Sequence, residues 1–202
     1  MKPETDSRKQ LRTELRARRA ALTAAERIAA SQALLEQLEQ IPEFLTDRRI
    51  GGYWAIAGEL PLAAVMAGLR ARGQIYCLPI VGAARQLAFA AWAPGMAITM
   101  NRYGIPEPEC AAADQLDPKQ LDVVLLPLLG FDRSGNRLGF GGGCYDRSFA
   151  FLQGRSGVAR PVLVGVGYSI QEVPAIESMP WDVHLDYIAT ERELIDLTQS
   201  AT

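Results

Sequence analysis

Several features that often reveal a protein's chemistry are scarce in this chain of 202 residues. Histidine occurs once, at His184, so a histidine dyad or triad has a single possible base, and no obvious nucleophile lies near it in the sequence. We therefore interpret His184 as structural. The three cysteines, Cys77, Cys110 and Cys144, are far apart and odd in number, which argues against a disulfide framework and a Cys-x-x-Cys zinc site. Reduced thiols of this kind fit the cytoplasm.

Long apolar runs and a surplus of one charge are also lacking. No run approaches the ~18 residues that a membrane-spanning helix needs, and the basic N-terminal segment has no apolar signal-peptide core. A net charge of −2 creates no general field that would attract nucleic acid or an anionic membrane. The hydrophobic content of 49% is ordinary for a globular protein with one core. We therefore expect residues 1–202 to form one cytoplasmic domain, a monomer that binds neither nucleic acid nor membrane.

Most of the chain alternates between helix and strand patterns. Leucines at helical spacing predict a first helix, capped by Asp6 or Ser7 and running to about residue 21, and a second helix that begins at a capping box from Thr23 to Glu26 and ends at Pro42. Further helices are predicted at 61–72 and 144–152, and strands at 50–55, 74–79, 87–92, 122–126, 162–166 and 187–190. Residues 93–120 are predicted to be mostly loop. This alternation indicates an α/β fold, in which a mainly parallel sheet is flanked by helices and preceded by an N-terminal helical pair.

Residues 125–147 carry the strongest chemical pattern. An apolar run ends at Pro127, a turn follows at residues 132–135, and Arg137 precedes the glycines Gly139, Gly141, Gly142 and Gly143. Glycines let a backbone approach a ligand closely, and successive N–H groups before a helix form a site for anions. Arg137 could pair with phosphate oxygens, and Asp146 could hold a divalent metal through them. The segment therefore predicts a site for polyphosphate and Mg²⁺, although a simple surface turn stays an alternative because neither the Walker A nor the Rossmann pattern is present.

Residues 127–146 resemble the signature of the 5-formyltetrahydrofolate cyclo-ligases, also called methenyltetrahydrofolate synthetases. Four further segments resemble elements of that family in the same order, and they are residues 8–12, 58–60, 102–108 and 181–186. The resemblance implies the α/β fold that the family shares with ribose-5-phosphate isomerase and CoA-transferase-like proteins. It also implies an enzyme that uses MgATP to convert 5-formyltetrahydrofolate, with or without additional glutamates, into 5,10-methenyltetrahydrofolate, ADP and phosphate.

The resemblance further implies which residues form the site. Those that match ATP-contacting positions are Arg8, Lys9, Arg12, Arg137, Gly139, Gly141, Gly142, Gly143 and Tyr145. Those that match folate-contacting positions are Trp54, Glu59, Phe140, Gly142, Gly143 and Cys144. Arg137 and Tyr145 are implied to be catalytic, and Asp146 and Asp182 are implied to bind Mg²⁺.

Basic residues crowd the first predicted helix, and only some of them match the family segment. Arg8 and Arg12 are one turn apart and share a helix face, whereas Lys9 would point about 100° away, so Arg8 is preferred for the phosphates. The remaining arginines of this helix are interpreted as a solvated face, with helix-stabilising pairs such as Glu14 with Arg18. They are Arg16, Arg18 and Arg19.

Three loop positions depart from the common family pattern. Phe140 and Gly142 stand where many members have Arg and Lys, and Cys144, interpreted as a packing substitution, stands where an aromatic residue is usual. The loss of two cations leaves open which residue stabilises the γ-phosphate. It also keeps two alternatives: a degenerate regulatory relative that binds folate or nucleotide, and an ATP-independent enzyme of the sugar-phosphate isomerase or CoA-transferase type. Glu59 and Trp54 have structural alternatives as well, as a carboxylate at a helix N-terminus and as a core tryptophan.

Overall fold

The structure is a computed structural model that describes residues 6–154 and 159–198. The strands within these ranges are β1 (Arg49–Gly51), β2 (Ile75–Val81), β3 (Leu87–Ala91), β4 (Ile98–Met100), β5 (Pro106–Pro108), β6 (Val123–Pro127), β7 (Gly130–Phe131), β8 (Arg137–Leu138), β9 (Val162–Val166), β10 (Tyr187–Ala189) and β11 (Leu194–Asp196). The α-helices are α1 (Asp6–Ala20), α2 (Ala24–Leu38), α3 (Pro42–Thr46), α4 (Ala63–Ala71) and α5 (Cys144–Ser148). Short 3-10 helices lie at Ala83–Arg85, Ala112–Asp114, Pro118–Gln120, Ala150–Leu152 and Ser169–Gln171.

A seven-stranded sheet forms the centre of the described residues, with the spatial order β11-β10-β9-β6-β1-β2-β3. Strands β10, β9, β6, β1 and β2 run parallel, and β3 and β11 are antiparallel strands at the two edges. The prediction of a mainly parallel sheet flanked by helices is therefore confirmed. The remaining strands pair as two hairpins, β4 with β5 and β7 with β8.

Apolar side chains cover both faces of the sheet, as a buried parallel sheet requires. In β6, Val123 and Leu125 belong to one core cluster, whereas Val124 and Leu126 belong to another. The first cluster contains side chains of α2 and α4, and the second contains Phe149, which follows α5. A third, small cluster packs α1 beside the β7–β8 hairpin, and its buried members are Leu15, Leu129, Leu138, Val173 and Ile176. Within the described residues, no helix is both long enough and apolar enough to cross a membrane.

Strand β1 is shorter than predicted because the backbone just after it forms hydrogen bonds with a side chain and not with a neighbouring strand. The strand ends at Gly51, not at residue 55. The backbone N–H of Tyr53 donates to the Tyr76 hydroxyl at 3.0 Å, and that hydroxyl donates to the Tyr53 carbonyl at 2.8 Å. The backbone of Tyr53 is thus satisfied without a neighbouring strand, so the chain leaves the sheet here with its hydrogen bonds made.

Helix α2 begins where the sequence predicts, but it ends before the predicted position. The capping box between Thr23 and Glu26 is present and begins α2, as predicted. However, α2 ends at Leu38, and Pro42 lies in the first turn of the separate helix α3, a position where proline is favoured. Asp6 and Ser7, the two predicted caps of α1, both lie within the helix, which already includes Asp6 where the described residues begin, so neither caps it.

Other corrections concern short elements. Helix α4 begins after Leu62 and does not include Pro61, and the helix predicted at 144–152 is α5 followed by a 3-10 turn. Residues 93–120, predicted as loop, contain the β4–β5 hairpin, and the edge strand β11 was not predicted. The turn predicted at 132–135 is confirmed, because the Asp132 carboxylate accepts hydrogen bonds from the backbone N–H groups of Ser134 at 2.9 Å and Asn136 at 3.0 Å.

Candidate active site

Two segments that follow parallel strands meet beside α1. One is residues 52–62 after β1, here called the Glu59 loop, and the other follows β6 and contains the glycine loop, residues 139–143. Ligands of parallel sheets bind beyond the carboxyl ends of the strands. Arg19 of α1 joins the two loops: its Nη2 donates to the Ala57 carbonyl at 2.9 Å, and its guanidinium carbon lies 5.1 Å from the centre of the Phe140 ring.

Glu59 is almost fully buried, with 6% of its surface exposed. Its carboxylate accepts a hydrogen bond from the backbone N–H of Ile56 at 3.0 Å. Burial raises the pKa of Glu59 to about 7, against the smaller opposing effects of the Ile56 N–H and the Arg19 charge. The alternative role as a helix cap has no support in the hydrogen bonding, because the cap position of α4 is Leu62 and it has no side-chain cap bond. A buried carboxyl group with a near-neutral pKa is typical of a functional site.

Two of the predicted site residues, Trp54 and Tyr145, are aromatic. Trp54 is half-buried and packs edge-on against Trp92, with ring centres 5.3 Å apart, so it is partly a core residue and its folate contact stays a prediction. Tyr145 of α5 stacks on Phe149, with ring centres 6.3 Å apart and ring planes at 11°. Burial raises the pKa of the Tyr145 hydroxyl well above its ordinary value, and the nearby charge of Glu59 raises it further. Tyr145 therefore keeps its proton at neutral pH.

The glycine loop uses backbone conformations that most residues avoid. Gly141 has a φ of 96°, and Gly143, with a φ of 64°, caps α5 in the left-handed conformation. A Cβ added at Gly139 or Gly141 would meet no atom within 4 Å, so open space lies on both sides of Phe140. This geometry allows a ligand to approach the backbone closely, whereas phosphate binding by the loop stays a prediction.

Arginine side chains hold the carbonyl groups of the glycine loop. Nε of Arg12 donates to the Gly139 carbonyl at 2.8 Å, and Nη1 of Arg147 donates to the Gly142 carbonyl at 2.7 Å. Arg12 is buried and Arg8 is half-buried, whereas Lys9 is exposed. Arg8 and Arg12 therefore share a face of α1 that is turned toward the protein, as the preference for Arg8 over Lys9 assumes. ATP contacts by the three residues stay predictions.

Arg19 contacts both loops of the candidate site, which the sequence interpretation did not predict. It was expected on a solvated face, but only 2% of its surface is exposed. Its Nη2 atom donates to the Ala57 carbonyl. Its Nε and Nη1 atoms are buried and have no hydrogen-bond partner among the described residues. A buried guanidinium with so few partners is costly, which makes this side chain a candidate for ligand contact.

The neighbours of Arg19 on α1 show why it was missed. Arg16 is exposed, and Arg18 makes the predicted ion pair with a glutamate one turn earlier, at 2.5 Å. Arg12, Leu15 and Arg19 are all buried and follow one another at spacings of three and four residues, which places them on one helix face. This spacing predicts that Arg19 lies on the buried face of α1. An interpretation by charge alone places Arg19 with the exposed basic residues and does not use the spacing.

Arg137 and Asp146 form an ion pair behind the glycine loop. Arg137 lies in β8 with 8% of its surface exposed, and its guanidinium donates to the Asp146 carboxylate and to the Val183 carbonyl. The backbone N–H of Val183 approaches Oδ1 of Asp146 at 3.4 Å. Arg137 thus positions Asp146 and ties it to the segment before β10. Its predicted phosphate contact and catalytic role stay predictions.

Asp182 precedes Val183, but its carboxylate has a different partner. Oδ2 accepts a hydrogen bond from the backbone N–H of Met179 at 2.9 Å, and the side chain lines a surface cavity of about 320 Å³ that also contains the exposed His184. No group of three or more His, Cys, Asp or Glu side chains in the described ranges could hold a metal. Mg²⁺ at nucleotide sites takes only one or two carboxylates and completes its coordination with phosphate oxygens and water. Asp146 and Asp182 therefore have suitable donor chemistry, and Mg²⁺ binding by them stays a prediction.

Cys144, the first residue of α5, shows no sign of activation as a nucleophile. Burial raises the pKa of its thiol, which lowers the fraction of reactive thiolate. The side chain also packs against the core cluster that contains Phe149. Both observations agree with the interpretation of Cys144 as a packing substitution.

A parallel sheet, a glycine loop beyond its carboxyl edge and a buried carboxyl group on the neighbouring loop define an α/β protein with a candidate ligand site between two loops. A family model described as the 5-formyltetrahydrofolate cyclo-ligase family matches residues 4–191. The chain belongs to this family, whose members are ligases of folate metabolism.

Individual relatives agree with this assignment over nearly their whole length. A 5-formyltetrahydrofolate cyclo-ligase of Haemophilus influenzae is 33% identical over 183 residues, which cover 90% of this chain and 96% of the relative. One of Escherichia coli is 30% identical over 178 residues, which cover 87% and 96%. The NMR structure of Aquifex aeolicus 5,10-methenyltetrahydrofolate synthetase superposes with a TM-score of 0.78 at 27% identity, covering 94% of this chain and 92% of that structure.

Proposed function

We propose that the protein is an ATP- and Mg²⁺-dependent 5-formyltetrahydrofolate cyclo-ligase, which forms 5,10-methenyltetrahydrofolate and releases ADP and phosphate. Membership of the family supports the proposal. The structural observation that carries it is the meeting of the Glu59 loop and the glycine loop across Arg19, at 2.9 Å from the Ala57 carbonyl and 5.1 Å from the Phe140 ring. Group transfer between two substrates needs two adjoining sites that hold the reacting atoms in line.

The reaction has to activate an unreactive carbonyl group. The formyl group on N5 is an amide, so its carbon is a poor electrophile and its oxygen is a poor leaving group. Transfer of the γ-phosphoryl group from ATP to the formyl oxygen breaks the bond to ADP and converts that oxygen into part of a phosphate leaving group. N10 then attacks the formyl carbon and loses its proton, and phosphate departs with the C–O electron pair as the ring closes. Such a reaction depends mainly on alignment and on the stabilisation of charge.

The Glu59 loop would bind the folate. The Glu59 carboxyl group, buried and with its pKa raised to about 7, would accept N–H bonds from the pterin ring in its ionised form. Trp54 would pack its partly exposed ring on the ligand. Tyr145, which keeps its proton and lies close enough to respond to the charge of Glu59, would stand at the junction of the two substrates.

The glycine loop and α1 would bind the nucleotide. Backbone N–H groups of the loop would approach the phosphates, and Arg8 with Arg12 would close over them from α1. Arg12 also fixes the loop itself through the Gly139 carbonyl. Mg²⁺, when bound, would neutralise phosphate charge, and Asp146 and Asp182 would hold it. Arg137 would keep the Asp146 carboxylate in position.

One assay tests the proposal against its alternatives. The purified protein is mixed with 5-formyltetrahydrofolate, with and without MgATP, and the absorbance of methenyltetrahydrofolate is followed. We expect product only with MgATP, with one ADP released per product, and loss of product when Mg²⁺ is chelated. Product without ATP would point to an ATP-independent enzyme. No product with MgATP, together with binding of folate or nucleotide, would point to a regulatory relative.

A further inference from the structure

Arg19 carries more donor capacity than the protein uses. A guanidinium group has five N–H donors, and among the described residues only Nη2 has a hydrogen-bond partner, the Ala57 carbonyl. The side chain is nevertheless 98% buried, since 2% of its surface is exposed. Leaving charged donors buried and unpaired costs free energy, and folded proteins keep few such groups. The three N–H donors on Nε and Nη1 therefore need an explanation outside the packing of the fold.

The position of Arg19 indicates which ligand could accept hydrogen bonds from these donors. Its guanidinium lies between the Ala57 carbonyl of the Glu59 loop and the Phe140 ring of the glycine loop. This is the junction at which a group would pass from one bound substrate to the other. Burial lowers the pKa of Arg19, and the nearby Glu59 charge opposes part of this effect. A guanidinium is so strongly basic that the group stays cationic at neutral pH.

The glycine loop itself supplies no cation at this junction. No Lys or Arg occurs in residues 138–146. The arginines on either side of that stretch are already engaged: Arg137 with Asp146 and the Val183 carbonyl, and Arg147 with the Gly142 carbonyl. A phosphoryl group held by this loop would therefore draw on a cation from elsewhere in the chain, and Arg19 is in contact with the loop through Phe140.

We infer that Arg19 is a ligand-binding residue, whose Nε and Nη1 atoms donate to oxygens of the γ-phosphoryl group of ATP where it meets the folate. The inference rests on the proposed function for the identity of the nucleotide. The Phe140 ring covers the guanidinium face and is itself 38% exposed. The ligand reaches the two nitrogens by displacing this ring, and the open space beside Gly139 and Gly141 gives the ring room to move.

The test compares Arg19→Met with Arg16→Met. Both substitutions remove one positive charge from α1, but Arg16 is exposed. We expect Arg19→Met to weaken ATP binding at least about tenfold by calorimetry, and to raise the KM for ATP by a similar factor, while the KM for 5-formyltetrahydrofolate stays nearly constant. Arg16→Met should leave all three quantities close to those of the wild type. Arg19→Lys, which keeps the charge with fewer donors, should fall between the wild type and Arg19→Met.

Thermal unfolding separates this role from a structural one. Replacing a buried, poorly partnered charge with an apolar side chain of similar length is commonly neutral or stabilising, so the melting temperature of Arg19→Met should equal or exceed that of the wild type. A lower melting temperature with unchanged ATP binding would overturn the inference, because Arg19 would then serve the fold. A change confined to the folate KM would also overturn it.

The two proposals fail in different ways. If the wild type makes no methenyltetrahydrofolate but binds ATP, the calorimetric comparison still decides whether Arg19 contacts the nucleotide. If the wild type is active and Arg19→Met binds ATP as tightly as the wild type, only the inference about Arg19 is wrong. If the wild type binds no ATP at all, both are wrong.

Discussion

The replacement of Glu59 by glutamine tests the electrostatics of the site without changing its shape. Burial raises the pKa of this carboxyl group from its ordinary 4.5 to about 7. Between these two values the folded protein binds a proton that the unfolded chain has lost. The free energy of unfolding of the wild type therefore falls as the pH rises through this range, and the contribution is fully present only below about pH 4.5.

The size of the effect follows from the two pKa values. They differ by about 2.5, and each pKa unit corresponds to about 1.36 kcal/mol, so the wild type should lose about 3 kcal/mol across this pH range. Because Glu59 is almost fully buried, solvent screening reduces this value little. Glu59→Gln has no proton to release, so its unfolding free energy should gain about 3 kcal/mol relative to the wild type between about pH 4.5 and pH 8.

Urea unfolding of both proteins at several pH values measures this difference. Glu26→Gln is the control: Glu26 is exposed, and its hydrogen bonds to Thr23 lower its pKa, so its contribution is lost only as the pH falls below about 4.5. It should therefore show no change over the range in which Glu59→Gln does. If the difference between Glu59→Gln and the wild type is constant from about pH 5 to pH 8, the Glu59 carboxyl group is not shifted and the argument fails.

Two further predictions concern the glycine loop and helix α5, which follows it. Asp146→Asn should lower turnover by about 10²-fold or more, because the amide cannot neutralise a metal-held phosphate. It should also lower the melting temperature, because the buried Arg137 loses its counter-charge. Near-normal turnover at limiting Mg²⁺ would contradict the proposed metal role. Gly142→Lys should remain active with a lower KM for ATP, since Gly142 is not among the glycines with positive φ and a Cβ there would meet only the Cys144 sulfur at 3.5 Å. Gly141→Lys is its matched control, because the space is open but the φ of 96° is unfavourable for lysine; equal losses in both variants would contradict the steric argument.

Local patterns predicted the parts of the fold that depend on neighbours in the sequence. The buried strand predicted at 162–166 is β9, the capping box at Thr23 begins α2, and the turn at Asp132 is held by its own carboxylate. Each of these is decided within a few residues. The resemblance to the family indicated Glu59 as a folate contact, which stays a prediction, and the structure shows that this side chain is buried.

Contacts between distant residues could not be predicted from such patterns. The Tyr76 hydroxyl, which binds the backbone of Tyr53 just after β1, belongs to a residue 23 positions away, and no residue near Tyr53 in the sequence predicts this contact. Arg19 pairs with a carbonyl 38 residues away and lies under Phe140, so its burial depends on how α1 packs. Arg137 similarly donates to the Val183 carbonyl, which is 46 residues away in the sequence.

The small cluster beneath α1 has a consequence for dynamics. Five buried side chains pack this helix beside the β7–β8 hairpin, and the cluster is separate from the two larger clusters that cover the sheet. A segment fastened this way can open with much less free energy than global unfolding, as a cooperative unit of its own. Arg12 and Arg19 are on that helix and contact the glycine loop. A ligand bound through these two residues would hold α1 in its packed position. Slowed amide hydrogen exchange along α1 would therefore report that the site is occupied, although most of the proposed site residues lie on other elements.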